Sequence, residues 1–200
     1  FNNLGSRLYK ILKRAFDLFA ATAIILISLP VGMLITMLIP LTSKGPAFFT
    51  QERIGAGKKP FKMVKFRTMA RNAEAHGPQW AQKNDGRVTK LGKVLRKTRL
   101  DELPQLINVV KGEMSLIGPR PEREYFVNQL SGKIPFYSLR FFVKPGITGW
   151  AQVNFRYGAD EEDAIEKLRY ELYYIKNQSL FLDARILLKT IRVVLTAVGM

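Results

Sequence analysis

The chain has 200 residues, enough for one domain with a hydrophobic core, and its 32 Lys and Arg against 16 Asp and Glu give a formal net charge of +16. A basic surplus of this size indicates an anionic partner: nucleic acid, an anionic membrane or a phosphate-bearing substrate. The lack of cysteine excludes disulfides and thiolate metal sites, and the single histidine, His76 in a polar stretch, argues against a zinc cluster or a His-based catalytic pair. Because the chain begins at Phe1 and not at Met, we expect it to be a piece of a longer protein.

An apolar run dominates the N-terminal part of the chain. Residues 18–43 carry no charge, and at about 20 residues per bilayer crossing the run is long enough to span a membrane. Pro30 lies near its middle, where it removes a helical hydrogen bond and kinks the chain. The Ser28 and Thr36 hydroxyls could serve the freed backbone groups. Basic residues flank the run on both sides, and such flanks mark the cytoplasmic side of a membrane segment.

These two basic flanks favour a helix-break-helix that enters one leaflet and returns to the same side. An ordinary kinked transmembrane helix is the alternative, whereas a buried core helix of a soluble protein fits poorly because the run is so long. Residues 2–15 and 181–198 predict amphipathic helices at the membrane surface. In the second, Arg185, Lys189 and Arg192 share one face, although a soluble amphipathic helix would show the same pattern.

From residue 45 the composition is that of a soluble domain. Residues 46–68 hold short apolar and aromatic runs around Gly55-Ala56-Gly57, which predicts two short strands joined by a glycine-bearing turn. Residues 71–87 are polar and predict the start of a helix and a loop. Residues 88–100 have apolar side chains at helical spacing, which predicts a further helix.

Two adjacent carboxylates, Asp101 and Glu102, stand in a strongly basic part of the sequence. We expect them to begin a helix whose first turn tolerates Pro104, with a depressed pKa that keeps the carboxylate ionised. An ionised Asp101 could attack phosphorus or bind Mg²⁺. The structural alternative, which the dipeptide alone favours, is that Asp101 caps the helix while Glu102 pairs with Lys97 or Arg99.

Rigid basic loops follow the acidic pair. Arg120 lies between two prolines, and a stiff backbone that holds an arginine in place suits bidentate phosphate recognition. The segment 144–150 combines the Lys144 cation with Gly146, whose backbone can approach a ligand closely. Each loop alone is a weak signal. Together with the acidic pair and the segment 65–67, they predict a carboxylate ringed by phosphate-binding groups on a membrane anchor.

Several of these segments resemble the bacterial sugar transferase family, the monotopic phosphoglycosyl transferases. The resemblance runs in the family's order from about residue 13 to residue 196, and it rests on many motifs of which none is decisive alone. The segment 154–171 is similar to that of exopolysaccharide-initiating members, whose longer forms carry membrane helices and a further domain upstream. The matching segments are 13–17, 49–55, 65–69, 95–105, 108–115, 118–121, 144–149, 151–153 and 173–177.

The resemblance implies how the site would work. Asp101 would be the nucleophile that forms an aspartyl-phosphosugar and expels UMP, before a polyprenyl phosphate attacks this intermediate. Asp101 would also contact Mg²⁺, and Glu102 would complete the dyad by orienting the site or by handling a proton. Some members have Arg where this chain has Lys144, so a bidentate contact there is in doubt. Phosphate or nucleotide binding would fall on Lys65, Arg67, Arg96, Arg120, Lys144 and Gly146.

We therefore expect an α+β fold, mostly helical with a few short strands, with a re-entrant helix broken at Pro30 and interfacial helices. Residues 1–44 would be the anchor and residues 45–200 the catalytic domain, one functional unit on the cytoplasmic face of a bacterial inner membrane. The expected partners are a UDP-sugar, polyprenyl phosphate and membrane lipid, with Mg²⁺ as cofactor. The sequence indicates neither the sugar nor the oligomeric state.

Two other classes of function compete with this interpretation. A non-enzymatic protein could bind anionic lipid through its basic helices, but it would need no acidic pair near rigid phosphate loops. A nucleic-acid binder is suggested only by the net charge. The apolar run and the lack of a recognisable helix-turn-helix or stacking motif argue against it, so no nucleic-acid partner is expected.

Overall fold

The computed structural model describes residues 6–70, 73, 77, 85–155 and 161–196. Its first element is one long helix, α1 (Arg7–Thr42), whose 36 residues extend over about 54 Å at 1.5 Å per residue. The Ser6 hydroxyl caps this helix by accepting from the Tyr9 amide. Apolar side chains on α1 point away from the protein, and Phe19, Ile27 and Leu41 are 77, 80 and 81% exposed. This exposure contradicts a buried core helix and fits a helix that lies in lipid.

Helix α1 continues through Pro30 and Pro40 without interruption. The Pro30 ring removes one helical hydrogen bond, and two hydroxyls in the flanking turns bond to the carbonyls four residues before them, contacts that often bend a helix. Ser28 donates to the carbonyl of Ile24 at 2.6 Å, and Thr36 donates to that of Gly32 at 2.8 Å. Neither hydroxyl bonds to the carbonyl that Pro30 frees, which is that of Leu26, so these contacts do not confirm the expected role, and the expected division into two helices at Pro30 is not present.

The two strands predicted after the apolar run are confirmed as an antiparallel hairpin. β1 (Phe48–Ile54) pairs with β2 (Pro60–Phe66), with Gln51 opposite Met63. A 3-10 turn joins them, and Gly57 in that turn takes a positive φ of 64°, which favours glycine.

Short helices and a second pair of strands make up the rest of the described chain. α2 (Lys90–Lys97) lies within the predicted helical segment and is capped by the Thr89 hydroxyl. A 3-10 turn, Leu100–Glu102, comes next, so the following helix begins at Gln105 and not at Asp101, and the expected cap at Asp101 is wrong. The remaining elements are α3 (Gln105–Lys111), β3 (Ser115–Ile117), α4 (Glu124–Lys133), a 3-10 helix (Tyr137–Phe142), β4 (Gly146–Thr148), α5 (Trp150–Asn154), α6 (Glu161–Lys176) and α7 (Leu180–Thr196).

The architecture is α+β and mostly helical with short strands, as predicted. β3 and β4 are parallel, and the sequence indicated only rigid loops at their positions. The first predicted amphipathic helix is the N-terminal part of α1, and the second is α7. Some predictions lie outside the described residues: those for His76, for most of the segment 71–87, for residues 2–5, for residues 156–160 and for residues 197–198.

The main hydrophobic core lies where α1, the hairpin, α3, β3, α6 and α7 meet. Its most deeply buried side chains leave little room for change, since interiors are close-packed. The buried members of this cluster are Ala21, Phe61, Met63, Leu106, Val109, Met114, Leu116, Ile117, Tyr174, Ile175, Leu182 and Ile186.

A buried carboxylate fastens the N-terminal part of α1 to α7. Asp183 accepts a hydrogen bond from the Tyr9 hydroxyl at 2.9 Å and an ion-paired contact from the Lys13 ammonium at 3.0 Å. The Tyr174 hydroxyl of α6 donates to the other oxygen of Asp183 at 2.9 Å. One side chain therefore joins three helices of the chain.

The next turns of α1 contact α3 and β3. Arg14 donates to the carbonyls of Val109 and Val110 near the end of α3, at 2.7 and 2.9 Å. Asp17 accepts from the backbone amide of Leu116 in β3 at 3.0 Å. A charged side chain at each position thus satisfies backbone groups that the short elements leave open.

The C-terminal end of α1 contacts the same domain. Ile35 and Ile39 are buried in a second cluster with Phe66 of β2. Arg67 is buried beside them and donates to the carbonyls of Ser43, Lys44 and Gly45 at 2.7, 2.7 and 3.1 Å. Arg67 therefore terminates α1, and its side chain donates to backbone carbonyls.

Replacing Arg67 with Met should destabilise the fold, because carbonyls at the end of α1 lose a charged donor. We expect a loss of about 2–4 kcal/mol in the free energy of unfolding, which at roughly 2–4 °C per kcal/mol is measurable by thermal unfolding in detergent. Arg169→Met, at a well-exposed arginine, is the matched control and should leave the melting temperature unchanged. An unaltered melting temperature in Arg67→Met would show that these bonds do not stabilise the fold.

A pH dependence of stability should come from Glu122, which contacts Lys167 at 3.1 Å and Arg53 at 3.5 Å. Burial raises the pKa of Glu122, but the Lys167, Arg140 and Arg53 charges outweigh it and lower the pKa from 4.5 to about 2. Because the folded pKa lies below the unfolded one, the stabilisation is complete above about pH 4.5 and is lost as the pH falls towards 2.

Denaturant unfolding at a series of pH values should therefore show wild type losing on the order of 3 kcal/mol across this window beyond what Glu122→Gln loses. Equal pH slopes for the two proteins would remove Glu122 from the ionised network.

Candidate active site

The backbone between α2 and α3 places the two carboxylates. Arg99 takes a left-handed conformation (φ 58°, ψ 12°), which reverses the chain at the end of α2. The conformation is uncommon for a residue with a Cβ and persists where the surroundings enforce it, often at functional sites. The 3-10 turn that follows buries both Asp101 and Glu102, which are each 7% exposed.

One oxygen of Glu102 contacts three of the surrounding basic side chains. Oε1 accepts from Arg120 Nη2 at 2.8 Å and from Lys65 Nζ at 3.3 Å, and Arg99 Nη1 lies 3.9 Å away. Burial raises the pKa of Glu102, but the Arg120, Lys65 and Arg99 charges outweigh it and hold the pKa well below its usual range. Glu102 is therefore ionised, as expected for a carboxylate in this basic segment.

Asp101 has the opposite electrostatic environment. Its Oδ1 is buried, and no donor among the described residues bonds to it. Burial and the adjacent Glu102 charge raise the pKa of Asp101, and the Lys65, Arg120 and Arg96 charges offset this only in part. The expected depression of the pKa is wrong for Asp101, because the cations bond to its neighbour.

Three of the predicted basic residues surround this dyad. Lys65 and Arg120 bond to Glu102, and Arg96 acts on the charge of Asp101 while its Nε donates to the Thr68 hydroxyl at 2.9 Å. Burial lowers the pKa of Lys65, although the Glu102 charge opposes this.

Lys144 is grouped elsewhere. A Cβ at Gly112 would lie 3.5 Å from Lys144 Nζ and 3.4 Å from Arg14 Nη2, which places both cations at the far end of α3. Burial and the Arg14 charge lower the pKa of Lys144, and Asp17 opposes them. The charges that act most strongly on Asp101 do not include that of Lys144. In this structure Lys144 therefore lies beside Arg14 in the N-terminal part of α1 and not beside the dyad.

Gly146 is needed for the packing of β4 against the chain that follows β3. A Cβ at Gly146 would lie 2.0 Å from the backbone nitrogen of Gly118, a distance that no side chain tolerates. The expected close approach of backbone is present, but the group approached is Gly118. Arg67, described above, likewise contacts the end of α1 and not the dyad.

Some residues around the site were not found from the sequence. Arg99 was considered only as a structural partner of Glu102, and its left-handed backbone has no signature in a non-glycine residue. Arg140 is buried and bonds to the carbonyl of Arg120 at 2.7 Å. It is distant in sequence from the dyad, and only its position close before Lys144 could have pointed to it.

The site offers a single well-placed protein ligand for a divalent ion. Among the described residues no cluster of three or more His, Asp or Glu could hold a metal by itself. Asp101 Oδ1 is a buried carboxylate oxygen without a donor. Mg²⁺ commonly binds through one or two carboxylates together with waters and substrate phosphates. The residues present fit such an ion when a phosphorylated substrate supplies further ligands.

Comparisons of the sequence with known proteins identify the family. Residues 8–197 match the family described as bacterial sugar transferase. A UDP-N-acetylgalactosamine-undecaprenyl-phosphate N-acetylgalactosaminephosphotransferase of Aeromonas hydrophila is 51% identical over 202 residues, covering 99% of this chain and 48% of that protein. The UDP-glucose:undecaprenyl-phosphate glucose-1-phosphate transferase of Escherichia coli K12 is 44% identical, covering 91% of this chain and 40% of that protein.

A shorter relative aligns along more of its own length. The UDP-glucose:undecaprenyl-phosphate glucose-1-phosphate transferase of Caulobacter vibrioides is 39% identical, covering 92% of this chain and 70% of that protein. The chain spans less than half the length of the Aeromonas and Escherichia proteins. A match over nearly all of its residues, with the acidic dyad and its cations assembled in one place, nevertheless establishes the family. The chain belongs to the bacterial sugar transferase family.

Proposed function

We propose that the chain transfers a sugar 1-phosphate from a UDP-sugar to undecaprenyl phosphate and releases UMP. The observation that carries this proposal is the buried Asp101–Glu102 dyad, in which Glu102 is bonded to cations and Oδ1 of Asp101 has no donor among the described residues. Relatives whose names include a UDP-sugar and undecaprenyl phosphate support the substrate class. Those names differ in the sugar, which is N-acetylgalactosamine in one and glucose in another.

The charges of the site suit a diphosphate. Lys65, Arg96, Arg99 and Arg120 are four cations around two carboxylates, so an excess of two positive charges remains. A diphosphate that enters this buried region would neutralise the excess, and its interactions would be strong because water is largely excluded. The cations are arranged before the substrate arrives, since Glu102 already holds Arg120, Lys65 and Arg99.

Asp101 then acts as the nucleophile. One of its carboxylate oxygens attacks the sugar-bearing phosphorus of the UDP-sugar, an O–P bond forms, and the bond from that phosphorus to the bridging oxygen breaks as UMP leaves with the electron pair. An oxygen of undecaprenyl phosphate next attacks the same phosphorus. The aspartyl O–P bond breaks, Asp101 is regenerated, and the product is undecaprenyl diphosphate sugar.

Glu102 serves chiefly to orient the cations, because it is ionised and its Oε1 is occupied by Arg120 and Lys65. This choice between the two roles left open by the sequence rests on those contacts. Asp101 would hold Mg²⁺, which supplies neutralisation of phosphate charge when bound.

The proposal includes a re-entrant anchor on the cytoplasmic face of a bacterial inner membrane, in which α1 bends at Pro30 within one leaflet while remaining one helix. Both ends of α1 are bonded to the same domain, Lys13 through Asp183 and the Thr42 end through Arg67. A simple span would separate these ends by the thickness of the bilayer. Exposed apolar side chains lie between the two attachments, where lipid would cover them. Basic flanks at both ends favour the cytoplasmic side.

This topology can be tested because the chain has no cysteine. Lys10→Cys and Lys44→Cys introduce single thiols at exposed positions near the two ends of α1. Both should react with a membrane-impermeant maleimide in inside-out vesicles and neither in intact spheroplasts. Ile27→Cys, in the apolar middle, is the control and should react only after solubilisation. Labelling of one end from each side would replace the re-entrant topology with an ordinary span.

The nucleophile can be tested with a panel of UDP-sugars, undecaprenyl phosphate and Mg²⁺, with UMP as the measured product. Asp101→Asn should lower UMP release at least ~10³-fold, because an amide cannot form the phosphoryl ester. The variant should still fold and partition into membranes. Glu166→Gln, at an exposed ion pair on α6, is the control and should keep wild-type activity.

Wild-type rates in Asp101→Asn would exclude Asp101 as the nucleophile. No UMP release from any UDP-sugar by the wild-type chain, with retained binding to anionic vesicles, would favour the non-enzymatic alternative. Chelation by EDTA should abolish release and added Mg²⁺ should restore it, whereas activity that survives chelation would exclude the metal.

A further inference from the structure

The backbone that carries Arg120 is bonded at every carbonyl from residue 119 to residue 122. The donors come from distant parts of the chain, and two of them are arginine side chains. The bonds are Gly146 N to Pro119 O at 2.8 Å, Arg140 Nη2 to Arg120 O at 2.7 Å, Arg53 Nη1 to Pro121 O at 3.2 Å and Ile54 N to Glu122 O at 2.9 Å.

The bond at the carbonyl of Arg120 has a special importance. The peptide that joins Arg120 to Pro121 has no N–H, so its carbonyl is the only backbone atom through which hydrogen bonding can orient that peptide plane. A residue before proline is already restricted in conformation. Arg140 supplies the donor for this carbonyl, and the Arg120 side chain leaves the backbone at the same residue.

Arg140 is itself held rigidly. It is 4% exposed, and its Nη2 also donates to Glu171 Oε1 of α6 at 2.8 Å. Its Nη1 donates to the Tyr137 hydroxyl, and its guanidinium lies 5.0 Å from the centre of the Tyr137 ring. A charged donor forms a stronger hydrogen bond to a carbonyl than a neutral one does. Burying an arginine costs free energy even when a carboxylate pairs with it, which argues for a geometric role.

We propose that Arg140 is a positioning residue that acts through Arg120. By holding the Arg120 carbonyl, it sets the direction in which the Arg120 guanidinium extends to Glu102, 2.8 Å away, and to the diphosphate. This inference rests on the proposed function and adds a residue that lies outside the dyad and its ring of cations. A displacement of about 1 Å in a group that grips the reacting phosphates can lower the rate about 10²-fold.

Two variants remove the contact in different ways. Arg140→Lys keeps a cation for Glu171, but one shorter ammonium replaces the two guanidinium nitrogens that serve Glu171, the Arg120 carbonyl and the Tyr137 hydroxyl. The double variant Arg140→Met/Glu171→Met removes both buried charges and replaces them with apolar side chains, a change that often preserves stability. The Met/Met variant removes the donor of the Arg120 carbonyl, and Arg140→Lys shifts it because the lysine side chain is shorter and not planar. Leu168→Ala, in the core cluster that contains Tyr137 and Phe141, is a control that loses packing but no polar contact to the loop.

The test is a double-mutant cycle with Arg120→Ala, read as kcat/KM for the UDP-sugar and as Kd for UMP. Both Arg140 variants should lower kcat/KM about 10–100-fold, whereas Leu168→Ala should lower the melting temperature with kcat/KM unchanged per folded molecule. In the Arg120→Ala background, the Arg140 variants should cause no further loss, because the group they position is gone.

Losses that multiply, or wild-type kcat/KM in a folded Arg140 variant, would overturn the inference. If Arg140→Lys does not fold, the Met/Met variant decides the outcome. The Kd for UMP separates this result from a failure of the proposed function. Coupling between Arg140 and Arg120 in UMP affinity would support the positioning role even if no UDP-sugar is turned over, and additive effects on Kd would refute it.

Discussion

The active region depends on one carboxylate oxygen, Oε1 of Glu102, which three basic side chains share. At an effective dielectric constant of about 20, two unit charges about 5 Å apart repel by about 3 kcal/mol. Without Glu102, Lys65, Arg99 and Arg120 would separate into solvent. With it, they remain clustered beside Asp101, whose own oxygen has no donor among the described residues. The two adjacent carboxylates thus have different roles: Glu102 binds the cations, and Asp101 keeps an oxygen that no described donor occupies.

Much of the fold could be predicted because it follows local rules. The length and apolarity of residues 18–43 predict the apolar part of α1, although not its continuity through Pro30, and the glycines around residue 56 predict the hairpin turn. The parallel pairing of β3 with β4 could not be predicted, since each strand has only three residues and their partnership is set by the contact of Gly118 with Gly146. The start of α3 was misplaced because Arg99 adopts a left-handed backbone without glycine, and this inserts a 3-10 turn before the helix.

The sequence predicted which types of residue the candidate site contains more accurately than where each of them lies. Lys65, Arg96 and Arg120 do surround the dyad, but Arg67, two residues after Lys65, ends α1 instead. The sequence cannot distinguish these two residues, because a basic residue that bonds to backbone carbonyls and one that lies at a candidate phosphate site have the same sequence pattern. The same limit applies to Lys144, which lies beside Arg14. The pKa of Asp101 depends on which of the two carboxylates the cations bond to, and the tertiary structure determines this.

The contacts of Asp183 and Asp17 have a consequence for how the protein can be handled. Removing α1 would leave Asp183 without Lys13 and Tyr9, and would leave the Leu116 amide and the last carbonyls of α3 without partners. Buried polar groups that lose their partners in this way destabilise the fold, and the main core would lose Ala21 as well. Helix α1, whose outward face is apolar and exposed, is thus also an internal scaffold. A water-soluble form of the chain cannot be obtained by simple truncation of α1, and would require redesign of the outward-facing apolar surface of α1 with its inward contacts retained.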